Sequence, residues 1–173
     1  MDYEIGDRIV YPRRGAGTVT DVTVMELVDG YSQYYVIELP GDKLTVHVPS
    51  EMVDELGVRP VVPKGRIEKV LDILSGQPTV LPDDYKERQA GVREQLATGQ
   101  ALPIAEAIRD LCGHERRKHL TKVDRDLLTE GREFLAGELA LVMDQEVLDV
   151  HQLIDDALQA AVDDNGADPD STD

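Results

Sequence analysis

Residues 6–24 read GDRIVYPRRGAGTVTDVTV, and this stretch decides the fold of the first third of the chain. Apolar and polar residues alternate from Arg8 to Tyr11 and again from Gly17 to Val24, the period-2 pattern of half-buried strands. Between them Arg14-Gly15-Ala16-Gly17 predicts a tight reversal, with Gly15 and Gly17 serving turn geometry. Because TVTDVTV after the glycines reads as strand and not helix, Arg13, Arg14 and the GAG run are not a phosphate-binding loop. The alternation returns at Tyr35 to Leu39 and Leu44 to Val48, with Asp29-Gly30 and Pro40-Gly41-Asp42 marking hairpins. Residues 1–60 are therefore expected to form a small, strongly bent antiparallel sheet.

Beyond residue 60 the period changes from two to that of a helix. After Pro63, Ile67, Val70, Leu71 and Leu74 recur at helical spacing, and Ser75-Gly76 and Pro78 stop the run. Pro82 fits the first turn of a second helix, with Asp83 and Asp84 near its positive dipole end and Gly99 ending it. A third is expected from about Pro103 to Leu111, broken by Gly113. Thr121, with Asp124 three residues on, predicts the N-terminus of a fourth carrying Leu127, Leu128, Phe134, Leu135 and Leu139. Glu146 to Val162 reads as a fifth. Short connections favour an antiparallel bundle. The fold class is α+β, all-β then all-α, with domains at 1–60 and 61–162 and a disordered acidic tail at 163–173.

Net charge is −17, which weighs against nucleic acid until its distribution is considered. Residues 61–142 hold 14 acidic and 13 basic side chains, so most of the cations sit in a near-neutral middle segment. Within it Arg116, Arg117, Lys118, Lys122 and Arg125 form a local positive patch, able to bond phosphate without reading sequence. From Met143 onward the chain has ten acidic and no basic residues, a solubilising tail, an autoinhibitory shield over that patch, or an adaptation to salt. The single cysteine, Cys112, excludes an internal disulfide framework and suits a reducing cytoplasm. Asp2, Glu4, Asp7 and Arg8 interrupt any signal-like apolar run, and no run reaches the ~20 apolar residues of a membrane span. Cys112, His114 and His119 lack the paired brackets of a zinc site. No catalytic motif rises above the background of carboxylates. No metal, cofactor or enzymatic activity is expected.

The VYPRRGAG run at Val10 to Gly17, LTVHVP at Leu44 to Pro49 and GVR at Gly57 to Arg59 resemble the CarD/CdnL family of bacterial transcription regulators. Leu96-Ala97-Thr98-Gly99, Ala105 with Ile108-Arg109-Asp110-Leu111, and Gly137-Glu138-Leu139-Ala140-Leu141 are similar to landmarks of that family's helical module. The resemblance covers roughly residues 3–160. It implies a Tudor-like or SH3-like barrel that binds the β subunit of RNA polymerase, followed by a helical module that contacts promoter DNA at the upstream edge of the transcription bubble.

Residue by residue, the resemblance places Tyr85 where the family has a tryptophan wedge, with Lys86, Arg88 and Arg93 as phosphate contacts near it; aromatic stacking contributes ~1–3 kcal/mol per base. The chain has no tryptophan. Where the family carries arginines toward the polymerase, this chain has Met25 and His47. The strand Leu44, Thr45, Val46, His47, Val48 and Pro49 remains as an edge that could add to a partner sheet through main-chain bonds. The expectation is a cytoplasmic monomer that tethers to polymerase and braces the open complex with little base preference. A second reading is an interaction adaptor with little DNA affinity, favoured by Tyr85, His47 and the acidic balance. A third is an acidic scaffold with an SH3-like peptide groove built on Tyr3, Tyr11, Tyr31, Tyr34 and Tyr35.

Overall fold

Five strands precede five α-helices in the computed structural model, which describes residues 2–163, with short 3-10 helices at Ser50–Met52 and Lys64–Arg66. The strands are β1 (Arg8–Tyr11), β2 (Gly15–Val24), β3 (Gln33–Leu39), β4 (Leu44–Pro49) and β5 (Arg59–Pro60), antiparallel throughout in the order β4-β3-β2-β1-β5. The expected barrel is not closed. β5 has two residues, one of them a proline with no amide to donate, so the ladder cannot continue round to β4. The bend has a local cause: Val19 faces Ile37 while Asp21 faces Val36, an extra residue in β2 that adds twist.

The first reversal falls earlier than expected. Arg13 at φ 64° and Gly15 at φ 101° make the turn, and Arg14 N–H closes it on the Tyr11 carbonyl at 3.0 Å. Gly17 lies inside β2 opposite Ile9, so its role is not turn geometry. A Cβ there would run into the Glu38 carbonyl and the Leu39 side chain, and glycine is what lets β2 and β3 approach.

One face of the sheet buries Ile9, Val19, Tyr35, Ile37, Val48, Val53 and Val58. Tyr3 meets Tyr35 edge to face at 5.7 Å and donates its hydroxyl to the Val58 carbonyl, and burial pushes its pKa up. Tyr34 is buried too, and its hydroxyl accepts from Val28 N–H. With Tyr3, Tyr34 and Tyr35 all interior, the tyrosines do not assemble an open aromatic groove.

The helices are α1 (Ile67–Ser75), α2 (Tyr85–Ala97), α3 (Ala101–Glu115), α4 (Lys122–Met143) and α5 (Val147–Asp163). α3 packs between α1 and α4, and α5 packs on α1 and α4. Ile104, Ile108, Leu111, Leu135, Leu139 and Ile154 form the centre of their core. Gly113 does not break α3. It sits inside the helix because a Cβ would collide with the Pro78 ring, so the residue serves packing. Pro82 and Asp83 precede α2, whose cap is Asp84. The expected tail at 163–173 meets the structure at Asp163, the last residue of α5, and otherwise lies outside the described residues.

α4 joins the two halves. Its 22 residues touch α2, α3 and α5 and also β1 and β2. From β5, Arg59 reaches Glu138 of α4 with two parallel bonds, Nη1 to Oε1 at 2.7 Å and Nη2 to Oε2 at 2.9 Å. The same guanidinium donates Nε to the Gly99 carbonyl between α2 and α3 at 2.9 Å. Glu138 is fully buried and also accepts Val62 N–H at 2.7 Å, so its charge is paired and its lone pairs are satisfied. Pro12 packs beside Gly99, which has φ 61°.

Candidate functional site

The N-terminus of α2 is built by a buried ion pair. Asp84 accepts from Lys86 N–H and Glu87 N–H, each at 3.0 Å, which starts the helix at Tyr85. One turn on, Arg88 turns inward and is 4% exposed. Its Nε and Nη2 bond Asp124 at 3.2 and 2.7 Å, and its Nη1 bonds the carbonyls of Pro82 and Asp83 at 2.9 and 3.1 Å. This corrects the expectation for Arg88: its donors are spent inside the protein, where they fix the segment that precedes Tyr85.

Asp124 is the partner because α4 begins beside it. Thr121 caps α4, accepting from Asp124 N–H at 3.2 Å, while the Asp124 carboxylate accepts Thr121 N–H at 2.9 Å. Burial pushes the Asp124 pKa up, but the bonds from Arg88 and Thr121 outweigh it and hold the group at about 2. Gln89 of α2 closes the corner by donating to the Thr121 hydroxyl at 3.0 Å. His114 is buried behind it, and burial, Arg88 and Arg117 lower its pKa.

On this base Tyr85 stands half exposed, with Lys86 Nζ 5.9 Å from its ring centre. The other predicted cations divide. Lys118 pairs with Asp83 at 2.6 Å, a contact that lowers the Asp83 pKa, and Lys122 pairs with Asp126 at 2.8 Å. Arg116 donates to the Leu158 carbonyl on α5 and Arg125 to the Leu120 carbonyl. Lys86, Arg93 and Arg117 have no ion pair among the described residues. Arg93 stands about 12 Å along α2 from Tyr85, at 1.5 Å per residue, and lines a 250 Å³ cleft with Arg13 of the β1–β2 turn.

On the sheet, β4 pairs only with β3, so its outer edge carries unpaired main-chain groups. Leu44, Thr45 and His47 are exposed and Val46 and Pro49 half-buried. Val48 is 3% exposed within the sheet core, so its side chain is not available to a partner. His47 shares a cross-strand row with Val36 and Asp21; Met25 lies just past β2, at the end of the sheet where Pro49 pairs with Tyr34. Around Met25, Val24, Leu27 and Val28 are 79%, 56% and 55% exposed, an apolar tip that alternation alone did not reveal.

Sequence reasoning also missed Arg59, Glu138 and the inward turn of Arg88. The signal for Glu138 was its phase. It falls in the buried series Leu127, Gly131, Leu135, Leu139 and Val142 of α4, where a carboxylate needs a partner.

The chain is thus a sheet with a free edge joined through a buried ion pair to a helical bundle with an exposed aromatic corner. The sequence pattern of the CarD C-terminal domain matches residues 69–155, and that of the CarD-like/TRCF RID domain matches residues 3–62. The chain belongs to the CarD family. It is similar to YdeB of Bacillus subtilis (strain 168), named as a candidate transcription factor, with 29% identity over 140 residues covering 81% of this chain and 92% of that protein. The family is one of transcription regulators and not of enzymes. No described helix is long and apolar enough to cross a membrane.

Proposed function

We propose that this chain is a cytoplasmic transcription regulator that binds the RNA polymerase β subunit through β4 and contacts promoter DNA at the upstream edge of the bubble through the Tyr85 corner, stabilising the open complex. The observation that carries this reading is the investment of a buried arginine–carboxylate pair in holding an exposed aromatic ring at a helix start. Half exposed on that base, the ring is open to stack on a nucleobase. Lys86, Arg93 and Arg117 supply phosphate contacts without base preference. The weak DNA contact becomes effective because tethering raises its local concentration. Promoter DNA is bound by a monomer with sheet residues 1–60 and helical residues 61–162 as its two working parts.

The test is the lifetime of the open promoter complex formed by the host polymerase, with and without the protein. The native chain is expected to lengthen it, and Tyr85→Ala to abolish most of the gain while polymerase binding persists. An unchanged lifetime despite polymerase binding favours the adaptor reading, which the internal pairing of Arg88, Lys118 and Lys122 supports. A salt slope near zero for DNA binding would also remove the phosphate contacts.

A further inference from the structure

We propose that the Arg59–Glu138 clasp is a positioning device that sets the span between the polymerase edge β4 and the DNA corner at Tyr85; this role rests on the function proposed above. The chain passes from β5 to the helices through Val61, Val62 and Pro63, where Val62 is buried in the helical core and Val61 N–H bonds the Arg8 carbonyl. Arg59 adds directional polar ties to that packing. Its guanidinium holds its own strand through the Pro60 carbonyl, the α2–α3 turn through Gly99, and the middle of α4 through Glu138. Glu138 in turn holds the connection itself through Val62 N–H. Four segments therefore meet at one ion pair.

The chemistry of that pair makes the joint stiff. A bidentate guanidinium–carboxylate contact fixes direction as well as distance, which a lysine could not do. Glu138 has no exposure and Arg59 little, so swinging the sheet away would strand a buried charge on one side of the opening. A second tie lies on the same side of α4, where Arg8 of β1 pairs with Asp144 and also bonds the Leu141 carbonyl. That pair is largely exposed and adds little alone. Two neighbouring strands are thus fastened to α4 about 9 Å apart, at Glu138 and Asp144, which restrains rotation about either contact.

Stiffness matters because a tethered contact works by effective concentration, which is greatest when the span matches the distance to be bridged and falls when the tether wanders. With the clasp closed, polymerase binding at β4 delivers Tyr85 to one place. With it open, the same contacts spread over a volume, and bracing fails with both binding surfaces intact.

The experiment uses the full chain carrying spin labels at Glu38→Cys on β3 and Ala90→Cys on α2, with Cys112→Ser, and measures the distance distribution between them. One narrow distribution is expected. Glu138→Gln should broaden it at least twofold. Because that variant leaves Arg59 uncompensated and could fail to fold, Arg59→Met with Glu138→Leu is measured beside it, removing the polar lock while filling the space. The double variant is expected to recover most of the stability that Glu138→Leu alone would lose and to bind polymerase within twofold of the parent. Its distribution should be broad, and it should lose at least fivefold of the gain in open-complex lifetime. A narrow distribution in the double variant overturns the positioning role, and so does a broad one with the full lifetime gain. If the unaltered chain does not lengthen the lifetime at all, the function proposed above fails and takes this role with it, a result distinguishable because the distance distributions are read without polymerase.

Discussion

Among the buried arginine–carboxylate pairs of the described residues, Arg88–Asp124 and Arg59–Glu138 do different work. Arg88–Asp124 lies within the helical half, both partners at the starts of helices, and the cap of α4 shares its carboxylate. Arg59–Glu138 lies between the halves, and its carboxylate comes from the middle of α4 with no cap to share. The first holds one corner in shape; the second holds two halves at a distance. Burial alone does not distinguish them. What distinguishes them is which elements lose their relation when the pair is cut.

Cutting the pairs should separate them by size. Glu138→Leu alone strands Arg59 and should cost about 3–5 kcal/mol in urea denaturation, while adding Arg59→Met should restore most of it. Asp124→Asn keeps a capping acceptor and a hydrogen bond to Arg88, so the loss should be about 2–3 kcal/mol. It also carries a pH signature. The folded Asp124 pKa of about 2 lies below its ordinary 3.8, so its contribution of about 2 kcal/mol is present above pH ~4 and lost as pH falls through 2. A stability profile of Asp124→Asn should lack that step, and a profile that keeps it would move the acid sensitivity elsewhere. Thr121→Ala removes the cap but leaves the pair, with an expected loss of about 1 kcal/mol by the same denaturation. Lys118→Ala breaks only the exposed contact with Asp83, and the denaturation midpoint should not move; the Asp83 carboxyl, followed by NMR titration, should rise toward its ordinary pKa.

The order of strands and helices was legible because period-2 and helical spacing are local, and the Thr121 cap because its box spans four residues. Where the reading failed, the deciding contact came from far away in sequence. Gly17 and Gly113 read as a turn and a stop, yet their small size answers to Glu38 and Pro78 on other elements. The phosphate contact expected of Arg88 came from the family resemblance, and the burial of its side chain was not legible in the sequence. The open sheet was hidden for a similar reason: closure depends on how far β5 can pair, and two residues with a proline leave no repeating signal. Of the site, Tyr85 at the head of α2 and β4 as an edge were legible, while the pairs that hold them were not.

The sequence distance across the clasp also has a consequence in time. Arg59 and Glu138 are 79 residues apart. At the ~5–20 residues per second of synthesis, roughly 4–16 seconds pass on the ribosome between making the arginine and making its carboxylate. Through that interval the nascent sheet carries an arginine with no Glu138 to receive it. The ruler is assembled only once α4 is made, and a chain interrupted before α4 would emerge with its edge strand complete and nothing to measure from it.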